Sequence, residues 1–233
     1  MDECPTCHGL GYLREDVPFG HPNFGKMVPC ECMTGELNKR LERVSRLSPE
    51  MLTWRLDGFR NRQHKVNVVP QLRDALKTGY GWATLSGPPG TGKTYLLAAM
   101  TNEARLQRRR AVYTTMADLL DDLRQCFDPR AEVPFSALFD DVLKAQVLCL
   151  DEIEKFSPTP WAEEKFFQLI EHRYRHWNEA LTVLATNRPI GLDKAVLNDT
   201  RWSGYLESRI MDGRFWQLDQ FWQVTDARPA LRV

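Results

Sequence analysis

Eight residues, GPPGTGKT at 87–94, limit most what this chain can fold into. They fit G-x-x-x-x-G-K-[S/T], between the apolar run WATLS (82–86) and a helix expected from about Lys93 to Arg109. Glycines let backbone amides converge on phosphate oxygens, and a helix start adds partial positive charge. The loop needs a buried strand behind it and a helix in front, so it demands an α/β layout. The expected cradle is Gly87, Pro88, Pro89, Gly90, Thr91, Gly92, Lys93 and Thr94. Lys93 is expected to reach the β- and γ-phosphates of ATP, and the Thr94 hydroxyl to ligate Mg²⁺.

The rest of the chain alternates accordingly. AVYTT (111–115), VLCLD (147–151) and LTVLATN (181–187) read as further strands, with a short strand near 214–218. A helix begins near Met116 with Leu119, Leu120 and Leu123 inward. Phe166, Phe167, Ile170, Tyr174 and Trp177 mark an apolar stripe on another. Strand–helix alternation predicts a parallel sheet with helices on both faces. Residues 50–65 read as a linker, which divides the chain into 1–49 and 50–233. Trp161, Trp177, Trp202, Trp216 and Trp222 are expected to pack rather than to stack on bases. Cys126 and Cys149 read as ordinary buried thiols.

VLCLD ends on two carboxylates, Asp151 and Glu152. After a phosphate loop, Asp151 is expected to hold Mg²⁺ and Glu152 to orient and deprotonate the attacking water. Asn187 ends the next strand, where its amide can position water beside the γ-phosphate; a simple turn residue is the alternative. Together these motifs resemble the AAA+ ATPases. LDEIEKFSPTPWAEEKFFQLIEHRYRHWNEALTVLATNRP, GYLESRIMDGRFWQL and the closing VTDARPALRV resemble, within them, the DnaC/DnaI helicase-loader group and its relative IstB. The resemblance spans roughly Met51 to Arg228 and leaves no room for a separate C-terminal lid domain. Asp151-Glu152 departs from the two aspartates of many relatives. The resemblance implies Arg209 as an arginine finger acting on a neighbouring subunit's ATP, with Arg201 and Arg214 as competitors. It also implies Arg228 as a second γ-phosphate sensor and places Arg173 near a subunit junction, with packing or surface pairing as the alternative. A trans-acting arginine implies a head-to-tail homo-oligomer.

The N-terminal segment has no place in that chemistry. Cys4-x-x-Cys7 and Cys30-x-Cys32 offer four thiolates for tetrahedral zinc, with His8 or His21 as substitutes. A segment this poor in periodic apolar residues needs such a staple to fold. DnaI-like loaders carry a zinc module that engages the replicative hexameric helicase, so the resemblance gives residues 1–33 that partner. Leu37, Leu41, Val44 and Leu47 then form one helical stripe, with Lys39, Arg40, Arg43 and Arg46 off it as a solvated face or a phosphate patch.

Thirty-one Lys+Arg balance 31 Asp+Glu, which excludes a globally basic nucleic-acid binder but not a local basic face. Arg105, Arg108, Arg109 and Arg110 are one such cluster, and part of it can serve the helix C-terminus. In the resembled group an inserted helix, here within Asp118–Lys144, steers single-stranded DNA. The chain shows no signal peptide and no membrane-length apolar run, so the expected setting is the cytoplasm. Three functions follow: a helicase loader, an IstB-like transposition helper, or a non-hydrolysing adaptor that keeps nucleotide and zinc as structural ligands.

Overall fold

The computed structural model describes residues 4–8, 10, 12–14, 17–21, 24–30, 39–59, 68–188, 209 and 216–218. Two short strands, β1 (Tyr12–Arg14) and β2 (Met27–Pro29), form an antiparallel hairpin between the cysteine pairs. The main sheet is parallel. It contains β3 (Gly81–Ser86), β4 (Ala111–Thr115), β5 (Val147–Asp151), β6 (Leu181–Thr186) and β7 (Trp216–Leu218) in the order β4-β5-β6-β3-β7. Strands β3 to β6 are buried, apart from Thr115 at the end of β4, and this explains why they read as unbroken apolar runs.

Alternate strand residues feed two cores. On one face Trp82, Val112, Leu148, Leu150 and Leu184 meet α4 (Met116–Gln125), α5 (Phe135–Leu143) and α6 (Pro160–Arg175). On the other, Ala83, Leu85, Val147, Val183 and Ala185 meet α2 (Val69–Thr78) and α3 (Lys93–Leu106). Thr115 and Thr159 cap α4 and α6 by accepting the amides of Asp118 and Ala162.

Several expectations need revision. Helix α3 stops at Leu106 rather than Arg109, because the chain turns there with Arg108 at a φ of 59°. Part of the expected linker is folded. Residues 51–59 form two short 3₁₀ turns strapped to α3: Asn102 Nδ2 donates to the carbonyls of Met51 (2.8 Å) and Trp54 (3.0 Å), and Glu103 Oε1 accepts the Leu56 amide. Phe167 and Trp177 lie toward solvent instead of completing the α6 stripe. For Arg173 the packing alternative holds. The side chain is buried at 2% exposure, with all of its nitrogens donating to the protein interior.

Residues 39–44 form a helix, α1, whose Leu41 and Val44 join the core beneath α4. The face with Lys39, Arg40 and Arg43, and Arg46 just beyond the helix, is partly solvated, with Lys39 exposed and the arginines ion-paired. Arg40, Arg43 and Arg46 pair with Asp141, Glu132 and Asp122. In the same way Arg105 and Arg109 turn back onto the carbonyls of Ala111 and Leu76, which dissolves much of the expected basic cluster. No helix among the described residues is long and apolar enough to cross a membrane.

Candidate functional site

The C-terminal edge of the parallel sheet gathers the polar residues. The loop leaves β3 at Gly87, whose amide donates to Thr186 O on β6 (3.2 Å). It then bends through Gly90 and Gly92, with φ of 80° and 90°, before α3 begins. A side chain at Gly92 is also barred by space: a Cβ there would come within 2.6 Å of the Phe59 ring. Glycine is therefore required twice over at 92, by conformation and by the aromatic lid.

Lys93 is only 6% exposed. Its Nζ donates to Gly87 O (2.7 Å) and Pro88 O (2.9 Å). Burial holds its pKa below the usual lysine value, while the nearby charge of Asp151 works against that shift. A buried ammonium held only by neutral oxygens suits an incoming anion, whose oxygens accept charge-assisted bonds better than carbonyls do.

Asp151 is buried at the end of β5 with both oxygens engaged. Oδ1 accepts the Glu152 amide (2.8 Å), and Oδ2 accepts Thr94 Oγ1 (2.6 Å) and Tyr113 Oη (3.1 Å). Burial pushes its pKa up, and these three hydrogen bonds pull it back. A hydroxyl next to a carboxylate is an oxygen donor set that fits magnesium. The structure thus brings together Lys93, Thr94 and Asp151, as the motifs predict. Glu152 follows with a φ of 49°, and its Oε1 pairs with Lys155 Nζ (2.5 Å) at the rim. Asn187 lies on the same edge, its amide donating to Glu154 Oε1 (3.0 Å).

Tyr113 had no sequence signal beyond its place in a strand. Burial and the Asp151 charge raise its phenol pKa, so it stays a proton donor to the carboxylate. It donates to the carboxylate oxygen that Thr94 also meets, and partners of this kind govern metal affinity by about 10- to 100-fold where such an oxygen holds a metal. Tyr113→Phe keeps the buried ring and removes the donor. It is expected to raise about tenfold the magnesium concentration needed for half-maximal binding of a fluorescent ATP analogue. An unchanged magnesium titration would show that the Thr94 contact alone suffices.

At the other end of the chain, Cys4, Cys7 and Cys30 place their sulfurs within 4.8 Å of one another, and none is in a disulfide. The turn resembles a metal knuckle: the His8 amide donates to Cys4 O (2.8 Å) and the Leu10 amide to Cys7 O (3.0 Å). Cys7 and Cys30 are buried. His8 and His21 lie outside the cluster, and Cys32 falls outside the described residues. Three converging thiols are a donor set of the kind that binds zinc.

Arg209 is held within its own chain. Its guanidinium carbon lies 4.3 Å from the centre of the Tyr174 ring, and Nε is 3.6 Å from Glu171 Oε2. Arg201, Arg214 and Arg228 fall outside the described residues. Cys149 is buried as expected, whereas Cys126 is only half-buried.

Residues 82–213, more than half of the chain, match the family described as IstB-like ATP binding protein. The chain belongs to this family. An ATP-binding protein of insertion sequence IS5376 from Geobacillus stearothermophilus is 29% identical over 114 residues, covering 49% of this chain and 43% of that protein. The replicative helicase loader DnaC of Escherichia coli K12 is 28% identical over 88 residues, covering 38% of this chain and 36% of that protein. The chain thus spans less than half the length of these two relatives. AMPPCP-bound DnaA from Aquifex aeolicus superposes with a TM-score of 0.60 at 22% identity, covering 74% of this chain and 51% of that one. That likeness shows the fold alone. For an IstB-like ATP-binding protein, the phosphate loop and the edge beside it are the candidate nucleotide site.

Proposed function

We propose that the chain is an ATP-hydrolysing helicase loader that joins a replicative hexameric helicase to single-stranded DNA. The observation that carries this reading is the thiol cluster of Cys4, Cys7 and Cys30 ahead of an ATPase core related to DnaC. An ATP-binding core needs no such module for its chemistry, so residues 1–49 are assigned the partner contact and residues 50–233 the nucleotide. These thiolates, with Cys32 as fourth ligand, would hold a zinc ion, whose binding would order the module.

In the nucleotide site, the backbone amides around Gly90 and Gly92 and the Lys93 ammonium bind the phosphates. Lys93 exchanges the carbonyls of Gly87 and Pro88 for phosphate oxygens. Thr94 and Asp151 would hold a magnesium ion, which would supply charge neutralisation for the phosphates. Glu152 leaves Lys155 and accepts the proton of the attacking water. Their contact is an exposed pair of the kind worth about 0–1 kcal/mol, so it breaks readily. Asn187 orients that water. Arg209, already held at the end of α6 by Tyr174 and Glu171, is assigned to the ATP of the adjoining subunit, with Arg228 as a second γ-phosphate contact.

The family match and the IS5376 relative favour a second reading, a transposition helper that prepares DNA for a transposase. Co-purification separates the two. The wild-type chain is expected to retain a replicative helicase and not a transposase, and Cys4→Ser to lose the helicase while still binding ATP. ATP turnover is expected to rise with single-stranded DNA and to fall at least about 10²-fold in Glu152→Gln. Capture of a transposase alone would establish the second reading, and turnover indifferent to Glu152→Gln would favour the non-hydrolysing adaptor.

A further inference from the structure

Glu154 has no role in the chemistry above, yet it joins the two polar strand ends of the site. Strands β5 and β6 are parallel neighbours, so Asp151 and Asn187 leave the sheet on the same edge. The chain leaves β5 through a tight turn. Glu152 takes a left-handed φ of 49°, and the Lys155 amide donates back to Glu152 O (2.8 Å). Ile153 pins the turn from below: it is fully buried, and its amide donates to Ala185 O on β6 (3.2 Å). From this anchored base Glu154 reaches across to the far strand, where Oε1 accepts the Asn187 amide at 3.0 Å. Its second oxygen, Oε2, is shielded from solvent and accepts no hydrogen bond among the described residues. The Glu154 charge is near enough to act on Lys93 as an attraction.

A backbone amide just past a strand end is ordinarily satisfied by water at little cost. Here a carboxylate with one oxygen already desolvated does that work, so the bond is a constraint rather than a convenience. Glu152, two residues earlier, faces outward to Lys155, so the two carboxylates of the turn are divided between the rim and Asn187.

We propose that Glu154 is the positioning residue for Asn187. Its carboxylate locks the sensor backbone to the turn that carries Glu152, so both side chains meet the γ-phosphate in a fixed relation. The proposal rests on the ATP-hydrolysis reading above. The lock requires an acceptor oxygen and not a charge, so glutamine keeps it and alanine removes it.

The test combines turnover with hydrogen exchange on the full-length protein. Misplacing a water-orienting group by about 1 Å costs up to about 10²-fold in rate. Glu154→Ala is therefore expected to lower kcat about 10- to 100-fold with less than about a threefold change in the Kd for ATP, and Glu154→Gln to stay within about threefold of wild type. Adding Asn187→Ala to Glu154→Ala is expected to cost little more, because the two residues act as a unit. Amide exchange across 186–188 is expected to rise in Glu154→Ala and not in Glu154→Gln. The proposal is overturned if glutamine is as damaging as alanine, if the losses of the two alanine variants multiply, or if exchange at 186–188 is indifferent to both changes. A wild-type chain without turnover defeats the hydrolysis reading instead, and the exchange arm then decides whether Glu154 holds Asn187.

Discussion

Lys93→Ala is expected to weaken ATP binding by at least about 10²-fold while leaving the fold intact or slightly more stable. The ammonium is buried against Gly87 O and Pro88 O, with no carboxylate in direct contact. Hydrogen bonds to charged groups contribute about 1.5–3 kcal/mol each, and every 1.4 kcal/mol is tenfold in affinity. The net gain is what two charged phosphate oxygens offer beyond the two neutral carbonyls they replace, and about 2.8 kcal/mol of it accounts for two decades. In the nucleotide-free chain the same ammonium is a desolvated cation, and its loss removes that cost. Titration carries the sign of this effect. Burial lowers the folded-state pKa below 10.5, so just below that value the unfolded chain holds more protons than the folded one. Unfolding free energy then gains a contribution that rises with pH through that window and is absent below it. Chemical denaturation at several pH values should show this alkaline rise in wild type and lose it in Lys93→Ala, while isothermal titration reads the affinity. A variant that binds ATP as wild type does would remove Lys93 from the site.

The parts of the molecule that could be read from the chain are those whose physics is local. GPPGTGKT bears its glycines where left-handed backbone is needed, and the β3–β6 runs are apolar because both sheet faces are covered. No motif announces helix α2 between the expected linker and WATLS, although Val69, Leu72, Ala75 and Leu76 bury one face and Pro70 sits in its first turn. The partners that tune the site are distant in sequence. Tyr113 meets Asp151 across 38 positions, and Glu154 meets Asn187 across 33. No periodicity encodes such pairs; parallel neighbours bring them together only once the strand order exists. The basic residues of α1 show the same limit. A run of arginines on one helix face carries no mark of the acids, up to 101 positions away, that neutralise it. For the same reason Arg209 could be chosen from its motif, but its seat against Tyr174 and Glu171 could not.

Arg173→Ala should produce the opposite signature to Lys93→Ala: a large loss of stability with nucleotide affinity preserved in the molecules that remain folded. The guanidinium donates through Nε to Thr182 Oγ1 (2.8 Å), through one terminal nitrogen to Leu143 O (3.1 Å) and Ala145 O (2.6 Å), and through the other to Leu181 O (2.6 Å). These acceptors lie on the approach to β5 and at the start of β6, so one side chain ties α6 to the connection after α5 and to the sheet. All are at the N-terminal edge, opposite the phosphate loop. Burial lowers the guanidinium pKa to about 10, which still leaves it charged at neutral pH. Removing it strands several buried acceptors, each costing about 1–3 kcal/mol when unpaired. Relaxation and water entry recover part of that, so the expected net loss is about 3–5 kcal/mol. Arg173→Lys keeps the charge but cannot span the fork, and it should fall between wild type and alanine. Urea denaturation measures the loss, and titration with an ATP analogue at low denaturant measures the affinity. A loss below about 1 kcal/mol would mean that water replaces the fork without penalty, and that the buried arginine is not what binds α6 to the sheet.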